Sequence, residues 1–255
     1  MAFDLTEDLI RELVSLAEEA GDITLEYYRS DLDIREKSDS SPVTEADERA
    51  EALIRAKLED LAPEVPFIGE EAYAAGHRPD VSGGMFWLVD ALDGTKEFVN
   101  KRDEFTVNIA LIENKVPIFG VVHAPAVGDT YWGNASNAWK RGTGGSATAI
   151  SVRPQPDECI VVATSRSHRS GEEEFLANYT ISDTVIAGSS LKFCLIAEGK
   201  ADLYPRLGPT SEWDIAAGHA VLNAAGGRVT QIDGSPFLYG KDNIRNPHFL
   251  AAGEI

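Results

Sequence analysis

The stretch Phe86-Trp87-Leu88-Val89-Asp90-Ala91-Leu92-Asp93-Gly94-Thr95 decides how this chain is interpreted. Its first four residues are apolar and rich in aromatic and branched side chains, which predicts a buried strand. Two carboxylates three residues apart follow that strand, and they can meet at one point if the chain turns sharply. Gly94 permits such a turn, and we expect a helix to begin there.

The residue types at this turn suit a hard cation. Asp90 and Asp93 offer carboxylate oxygens, and the backbone carbonyl of Leu92 can face the same point. Oxygen-only ligand sets of this kind are typical of Mg²⁺ sites. The N–H groups of Gly94 and Thr95, at a helix start, favour an anion, so a metal and a phosphate are expected side by side. The alternative is an Asp-rich turn in which Asp93 caps the helix.

Three other segments place an acid at the end or the start of a predicted element. These acids are Glu70 after the strand-like residues 65–69, Asp214 in a helix predicted over 213–225, and Asp47 in a helix predicted over 44–61. Taken singly, each has an ordinary structural explanation, a surface turn for the first and helix capping for the other two. Trp213, beside Asp214, can form a wall of a site.

The composition excludes several classes of protein. The chain has 255 residues and a net charge of −19, and residues 1–71 carry 21 of its 42 acids but only 7 of its 23 bases. Such an acidic balance argues against broad, sequence-independent binding of nucleic-acid phosphates, which needs clusters of Lys and Arg. The two cysteines, Cys159 and Cys194, predict reduced thiols. Neither a secretory signal nor an apolar run of membrane-spanning length is recognisable, so we expect a cytoplasmic protein, with peripheral association with the inner membrane left open.

The remaining pattern predicts two lobes. Strands are expected over 85–90, 106–113 and 116–125, the last two joined by a hairpin at Asn114-Lys115, while residues 30–43 predict an exposed loop. The last third alternates between strands and helices, which favours an α/β layer. Residues 142–146 are the expected connection, so an α+β lobe at 1–146 would carry the metal site and an α/β lobe at 147–255 the nucleotide-binding residues.

In this order, the four acidic motifs resemble the lithium-sensitive, Mg²⁺-dependent phosphomonoesterase superfamily that includes inositol monophosphatase. The resemblance runs from about Ser41 to Gly227 and implies a layered α-β-α-β-α sugar-phosphatase fold. One position departs from the pattern, because Ala91 stands where the family usually has proline. Since proline there would only preset φ, we expect a slightly looser turn with ligation retained.

Finer motifs resemble one branch, the bacterial 3′(2′),5′-bisphosphate nucleotidases of CysQ type. They are Asp93–Phe98 (DGTKEF), Ser165–His168 (SRSH), Gly188–Cys194 (GSSLKFC) and Ala201–Arg206 (ADLYPR). The resemblance implies hydrolysis of adenosine 3′,5′-bisphosphate, a by-product of sulfate activation, to AMP and phosphate. It also implies two or three Mg²⁺ ions in each site.

The resemblance also implies a role for each matching residue. The implied Mg²⁺ ligands are Glu70, Asp90, the Leu92 carbonyl, Asp93 and Asp214. Gly94 and Thr95 would hold the scissile phosphate, and Asp47 with Thr95 would help to activate water, with Glu70 also counted as catalytic. The residues expected around the nucleotide are His168, Ser189, Lys192 and Arg206.

The bases support this last set independently of the resemblance. Arg166, His168, Arg169, Lys192 and Arg206 are concentrated in an otherwise acidic chain, and a second phosphate on the substrate needs such a counter-charge. Two rivals remain open. One is an inositol or sugar monophosphatase, and the other is a non-catalytic, acidic metal- or partner-binding protein. We expect a small phosphorylated nucleotide as the substrate and a monomeric chain.

Overall fold

A computed structural model describes residues 4–29, 34–36, 42–135, 137–154, 158–166 and 171–254. Its largest sheet has seven strands in the order β3-β4-β5-β6-β7-β8-β9. They are β3 Phe67–Gly69, β4 Met85–Asp93, β5 Thr106–Glu113, β6 Val116–Ala124, β7 Asp129–Asn134, β8 Asn137–Arg141 and β9 Thr148–Ile150. Only β3 pairs in parallel with its neighbour, and the other strands form an antiparallel meander.

A second sheet has five strands in the order β11-β10-β12-β14-β13. They are β10 Ile160–Thr164, β11 Ile181–Ile186, β12 Leu203–Arg206, β13 Arg228–Gln231 and β14 Phe249–Ala252. The strands β10, β11 and β12 are parallel, as the alternation of strands and helices predicts. A small antiparallel pair, β1 Ile34–Glu36 and β2 Pro42–Thr44, lies within the segment that was expected to be a loop. Backbone pairing of such short, polar segments leaves no hydrophobic pattern to detect.

Seven helices cover the two large sheets in the described part of the chain. They are α1 Glu7–Tyr28, α2 Glu45–Leu61, α3 Glu70–Ala74, α4 Thr95–Val99, α5 Glu172–Leu176, α6 Leu191–Ala197 and α7 Glu212–Ala224. The long helices α1 and α2 pack on one face of the seven-stranded sheet. Helices α6 and α7 lie between the two sheets, and α5 packs on the outer face of the five-stranded sheet. The result is the predicted α-β-α-β-α order of layers.

Alternation along β4 explains how one strand serves two layers. Trp87 and Val89 face the helices α1 and α2, whereas Phe86 and Leu88 face the core around α6 and α7. Both sets are buried, so the strand reads as a continuous apolar run. In strand β6 of the same sheet, a Cβ on Gly120 would lie 2.4 Å from the carbonyl oxygen of Ala217, so glycine lets α7 approach the sheet closely.

The hairpin and the connection between the lobes bear on two further predictions. Asn114 and Lys115 both have positive φ, 49° and 70°, which is the geometry of a two-residue type I′ hairpin. The seven-stranded sheet continues past residue 146, because β9 pairs with β8. The division into 1–146 and 147–255 stays a prediction. None of the helices in the described residues is both long and apolar enough to span a bilayer.

Candidate active site

A β-bulge turns the two predicted aspartates toward one place. Asp90 pairs with Asn108 and Asp93 with Thr106, so three steps along β4 match two steps along β5. Residues three apart in a regular strand face opposite sides. The extra residue cancels that alternation, and Asp90 and Asp93 therefore both reach the site. The N–H of Leu92 donates to Asp90 Oδ1 at 3.0 Å, which stabilises the turn.

Gly94 ends the strand in a conformation that glycine adopts readily. Its φ is 91°, and α4 begins at the next residue, as predicted. A Cβ at this position would lie 2.1 Å from the hydroxyl oxygen of Ser189, which comes from the other side of the cleft. The Ser189 hydroxyl lies 2.8 Å from the carbonyl oxygens of both Asp93 and Glu104. The turn is thereby fixed to the segment that precedes α6.

Three of the predicted ligands come together from three separate elements. Glu70 begins α3, Asp90 lies near the end of β4, and Asp214 lies in the first turn of α7. One carboxylate oxygen from each lies within 4.8 Å of the other two. Asp214 also caps its helix, since its Oδ2 accepts a hydrogen bond from the N–H of Ser211 at 2.8 Å. The two explanations given for Asp214 by the sequence, helix capping and a place in the site, are compatible.

Burial and mutual repulsion raise the pKa values of this acid cluster. The pKa of Asp90 lies well above its ordinary value because of burial first and then the charges of Glu70, Asp93, Asp214 and Asp47. The pKa of Asp214 is raised by burial and by Asp93 and Glu70. Burial also raises the pKa of Asp93 to about 6, although the charge of Lys192 opposes the shift. The ionised form of the cluster is therefore disfavoured by burial and repulsion, and a bound cation would stabilise it.

Asp93 itself is held by a polar network that the sequence analysis missed. Asn108 Nδ2 donates to Asp93 Oδ2 at 3.4 Å and to Ser190 Oγ at 3.0 Å, and Ser190 Oγ donates to the carbonyl of Asp214 at 2.8 Å. Asn108 is fully buried in β5, an interior strand of the seven-stranded sheet. A polar residue inside the apolar run Thr106–Glu113 was the available signal, and its partners are distant in sequence.

The predicted water-activating pair lies beside the cluster. Asp47 is buried near the start of α2, and its charge contributes to the raised pKa of Asp90. Thr95 begins α4, and its hydroxyl donates to the carbonyl of Leu92 at 3.4 Å. The proposed hydrogen bond between Asp47 and Thr95 stays a prediction, as does metal ligation by the Leu92 carbonyl.

The predicted nucleotide-binding bases are buried and held by neutral oxygens. Lys192 Nζ donates to the carbonyls of Ser189 at 2.7 Å and Ala187 at 3.2 Å. Burial lowers the pKa of Lys192 to about 8, although Asp93 opposes this shift. Arg206 Nη1 donates to Ser165 Oγ at 3.1 Å and Nη2 to the carbonyl of Pro209 at 3.3 Å. Within the described residues, neither base forms a salt bridge.

One cleft joins the acids to the bases. Its walls include Asp93, Gly94, Ser189, Lys192, Arg206 and Asp214, together with Ser165 and Arg166. Arg166 Nη2 lies 2.8 and 3.0 Å from the two carboxylate oxygens of Glu104, which makes this base different from the other two. His168 and Arg169 lie outside the described residues, so nothing is added here to the prediction for His168.

The donor set fits a divalent cation. It offers carboxylate oxygens from Glu70, Asp90 and Asp214, which are the ligands that Mg²⁺ and related hard cations take. Isolated like charges at such separations repel strongly in a buried place. The residues present therefore match the cation that the sequence motifs imply.

The layers and the acid cluster together define a protein of the layered α/β phosphatase class. A sequence model of the Inositol monophosphatase family matches residues 5–253. The chain belongs to the inositol monophosphatase family, which confirms the superfamily and the fold that the motifs indicated.

Curated relatives and solved structures extend this result. The chain is 43% identical over 245 residues to proteins named 3′(2′),5′-bisphosphate nucleotidase CysQ in Escherichia coli strain K12 and in Shigella flexneri, covering 94% of this chain and 98% of each relative. It resembles the crystal structure of CysQ from Bacteroides thetaiotaomicron with a TM-score of 0.83 and 32% identity over 98% of this chain and 99% of that one. An inositol monophosphatase from Zymomonas mobilis gives a TM-score of 0.78 and 29% identity over 99% and 95% of the two chains.

Proposed function

We propose that this chain is a Mg²⁺-dependent phosphomonoesterase that hydrolyses adenosine 3′,5′-bisphosphate to AMP and phosphate. The observation that carries the proposal is the cleft in which Asp93, Asp214 and Gly94 share one space with Lys192 and Arg206. An acid cluster beside the predicted phosphate site, and two bases that form no salt bridge in the described part of the chain, match a substrate with two phosphates. The names of the curated relatives agree with this choice.

The acids have the task of holding the cations. Glu70, Asp90 and Asp214 would form the core of the site, with Asp93 and the Leu92 carbonyl completing it. When bound, Mg²⁺ would neutralise charge on the ester, favour ionisation of water and stabilise the leaving 3′-oxygen. Binding would also offset the repulsion among the acids, which the raised pKa values of Asp90 and Asp214 report. The two or three ions expected per site belong to this proposal.

Gly94, Thr95 and Asp47 would act on the scissile phosphate and the water. Gly94 lines the cleft, and the N–H groups at the start of α4 would hydrogen-bond the transferred group. Thr95 would orient the attacking water through its hydroxyl, and Asp47, buried beneath the site, would accept the hydrogen bond that fixes this hydroxyl. No nucleophilic Ser or Cys is required by this scheme.

Lys192, Arg206 and Ser189 would bind the second phosphate and the nucleoside. Because the two bases are held by carbonyl and hydroxyl oxygens rather than by acids, they keep their positive charge for a ligand. A charge-assisted contact contributes about 1.5–3 kcal/mol. A substrate with one phosphate would gain nothing comparable from them. His168 is proposed to join them on the strength of the sequence motif alone.

One assay tests the proposal against the two rivals. Phosphate release is measured from adenosine 3′,5′-bisphosphate and from inositol 1-phosphate, each with Mg²⁺ and with EDTA. We expect Mg²⁺-dependent release with a much higher kcat/KM for the nucleotide. Preference for the inositol ester would establish the monophosphatase alternative, and no release from either substrate would favour the non-catalytic binding protein.

A further inference from the structure

Helix α3, which carries Glu70, is capped by a side chain from another helix. The residue before α3 is Gly69, which has no side chain to accept a hydrogen bond from the first turn. Glu51 on α2 accepts these bonds instead. Its Oε2 accepts from the N–H of Glu71 at 2.8 Å, and its Oε1 accepts from the N–H of Ala72 at 2.7 Å. Each carboxylate oxygen therefore accepts a hydrogen bond from one backbone N–H group in the first turn of α3. Such N–H groups have no acceptor within their own helix.

The placement of Glu51 is costly, which argues that it has a specific task. Its side chain is buried, with 4% of its surface exposed, close to the negative charges of Glu70 and Glu71. Within the described residues, no salt bridge to Lys or Arg offsets this charge. A buried carboxylate without a cation is expensive, and here the two backbone N–H groups and the end of the α3 dipole are what stabilise it.

The absence of a side chain at Gly69 leaves space for the Glu51 carboxylate. A Cβ on Gly69 would lie 2.5 Å from Glu51 Oε2 and 2.6 Å from its carboxyl carbon. Any other residue at 69 would push Glu51 away from α3. The glycine that precedes Glu70 and the glutamate that caps the helix thus fit each other.

A ring contact also joins α3 to α7. Tyr73 of α3 packs edge-to-face on Trp213 of α7, with ring centroids 5.2 Å apart. Trp213 immediately precedes Asp214, so this contact joins the helix of one candidate ligand to the helix of another. Glu51 sets where α3 begins, and Trp213 sets how α3 lies against α7. Between these two contacts the main chain of Glu70 has little freedom.

We infer that Glu51 is a positioning residue for the cation site, which it serves by fixing the first turn of α3 so that Glu70 projects toward Asp90 and Asp214. Asp47 lies one helical turn before Glu51 on the same buried face of α2. That face of α2 therefore supports the site at two points. The inference rests on the proposed metal site, but it does not depend on which phosphate ester is the substrate.

The test is a direct titration with Mn²⁺ or Mg²⁺, measured by calorimetry at a temperature where every variant is folded. Glu51→Asp keeps the charge but shortens the side chain by one methylene, and Glu51→Gln keeps the length but offers only one acceptor. Glu59→Gln is the matched control, because Glu59 is an exposed acid on the same helix that forms an ion pair with Arg55. We expect both Glu51 variants to weaken cation binding by about 10- to 100-fold, the usual cost of losing a partner that orients a ligand, while the control stays within twofold of the wild type.

The outcomes separate the inference from the proposed function. If the wild type binds neither cation, the proposed metal site is wrong. If the wild type binds and Glu51→Asp binds within twofold of it, Glu51 serves stability alone and the inference is overturned, whatever happens to the melting temperature. Hydrogen exchange on the wild-type chain covers the case in which the variants do not fold. The amides of Glu71 and Ala72 should exchange slowly and be protected further by the cation, and rapid exchange at both would refute the cap.

Discussion

The acidic side and the basic side of the cleft differ in how their charged groups are stabilised. On the acidic side, Glu70, Asp90 and Asp214 bring like charges within 4.8 Å of one another. Asp90 and Asp214 each accept a hydrogen bond from a backbone N–H group. On the basic side, the buried Lys192 and Arg206 donate their hydrogen bonds to carbonyl and hydroxyl oxygens. Acids and bases lie in one cleft, yet the main acids and the main bases do not form ion pairs with each other.

This difference indicates which kind of ligand each side of the cleft binds. A cluster of acids without cations is destabilised until a metal arrives, whereas bases held by neutral oxygens are ready before any ligand arrives. Had Lys192 or Arg206 paired with a cleft acid, as Arg166 pairs with Glu104, that charge would already be neutralised. The comparison predicts that substitutions on the acidic side act through metal and rate, and those on the basic side through substrate affinity.

The largest effect is expected on the acidic side. Asp93→Asn should lower Mg²⁺-dependent kcat by about 10³-fold or more, because a metal ligand set contributes several kcal/mol at about 1.4 kcal/mol for each factor of ten. The fold should survive, as judged by circular dichroism. A variant with turnover near that of the wild type would remove Asp93 from the metal site.

A smaller loss of kcat is expected for the two residues proposed to orient the attacking water. Thr95→Ala and Asp47→Asn should each lower kcat by about 10²-fold, the scale of a lost proton-transfer or orienting group. The double variant should be little worse than either single one, since groups that act as a unit are not additive. Steady-state kinetics of the three variants decide the matter, and losses that multiply would show that the two residues act separately.

The basic side should show its effect in KM. Lys192→Ala and Arg206→Ala should raise KM for adenosine 3′,5′-bisphosphate by roughly 10- to 150-fold, from about 1.5–3 kcal/mol per charge-assisted contact. Inositol 1-phosphate, assayed in parallel, serves as the control and should scarcely be affected. Equal losses with both substrates would assign these bases to the scissile phosphate or to the fold.

The smallest effect concerns the stability of the metal-free chain. In the folded state the pKa of Asp93 is raised from 3.8 to about 6, chiefly by burial, so ionisation of this group costs stability as the pH rises between those values. Asp93→Asn should therefore gain stability over the wild type, by about 1 kcal/mol after allowance for solvent screening at this half-buried group. Urea unfolding in EDTA at pH 4 and pH 7 measures the gain, which should be larger at pH 7. A gain that does not change with pH would contradict the stated cause.

Sequence alone located most elements and the candidate acids, because strong local patterns carried them. The strands around 85–90 and 106–113 are long apolar runs, and the hairpin at Asn114-Lys115 needs a particular turn. Strand β11, at Ile181–Ile186, is a mostly exposed edge strand, so its hydrophobic pattern is weak. Strands β13 and β14 were not predicted, because they are short and gain their stability from pairing with distant segments.

The supporting residues of the site could not be predicted for a similar reason. Asn108, Ser190 and Glu51 act on partners that are distant in sequence, and nothing near them along the chain reveals those partners. The acids were recognisable because each follows a strand or opens a helix. The monomeric state, the cytoplasmic location and the role of His168 stay predictions.

The hydrogen bonds of Asp214 at the start of α7 have a consequence for the rate at which the site binds Mg²⁺. Its Oδ2 accepts a hydrogen bond from the N–H of Ser211, and the carbonyl of Asp214 accepts one from Ser190, so contacts within the protein fix the start of α7. Binding of the cation then requires no rearrangement of α7. The slow step falls to the cation, which must release water from a tightly held shell, and exchange of Mg²⁺ should follow the dehydration rate of the ion rather than a motion of the chain.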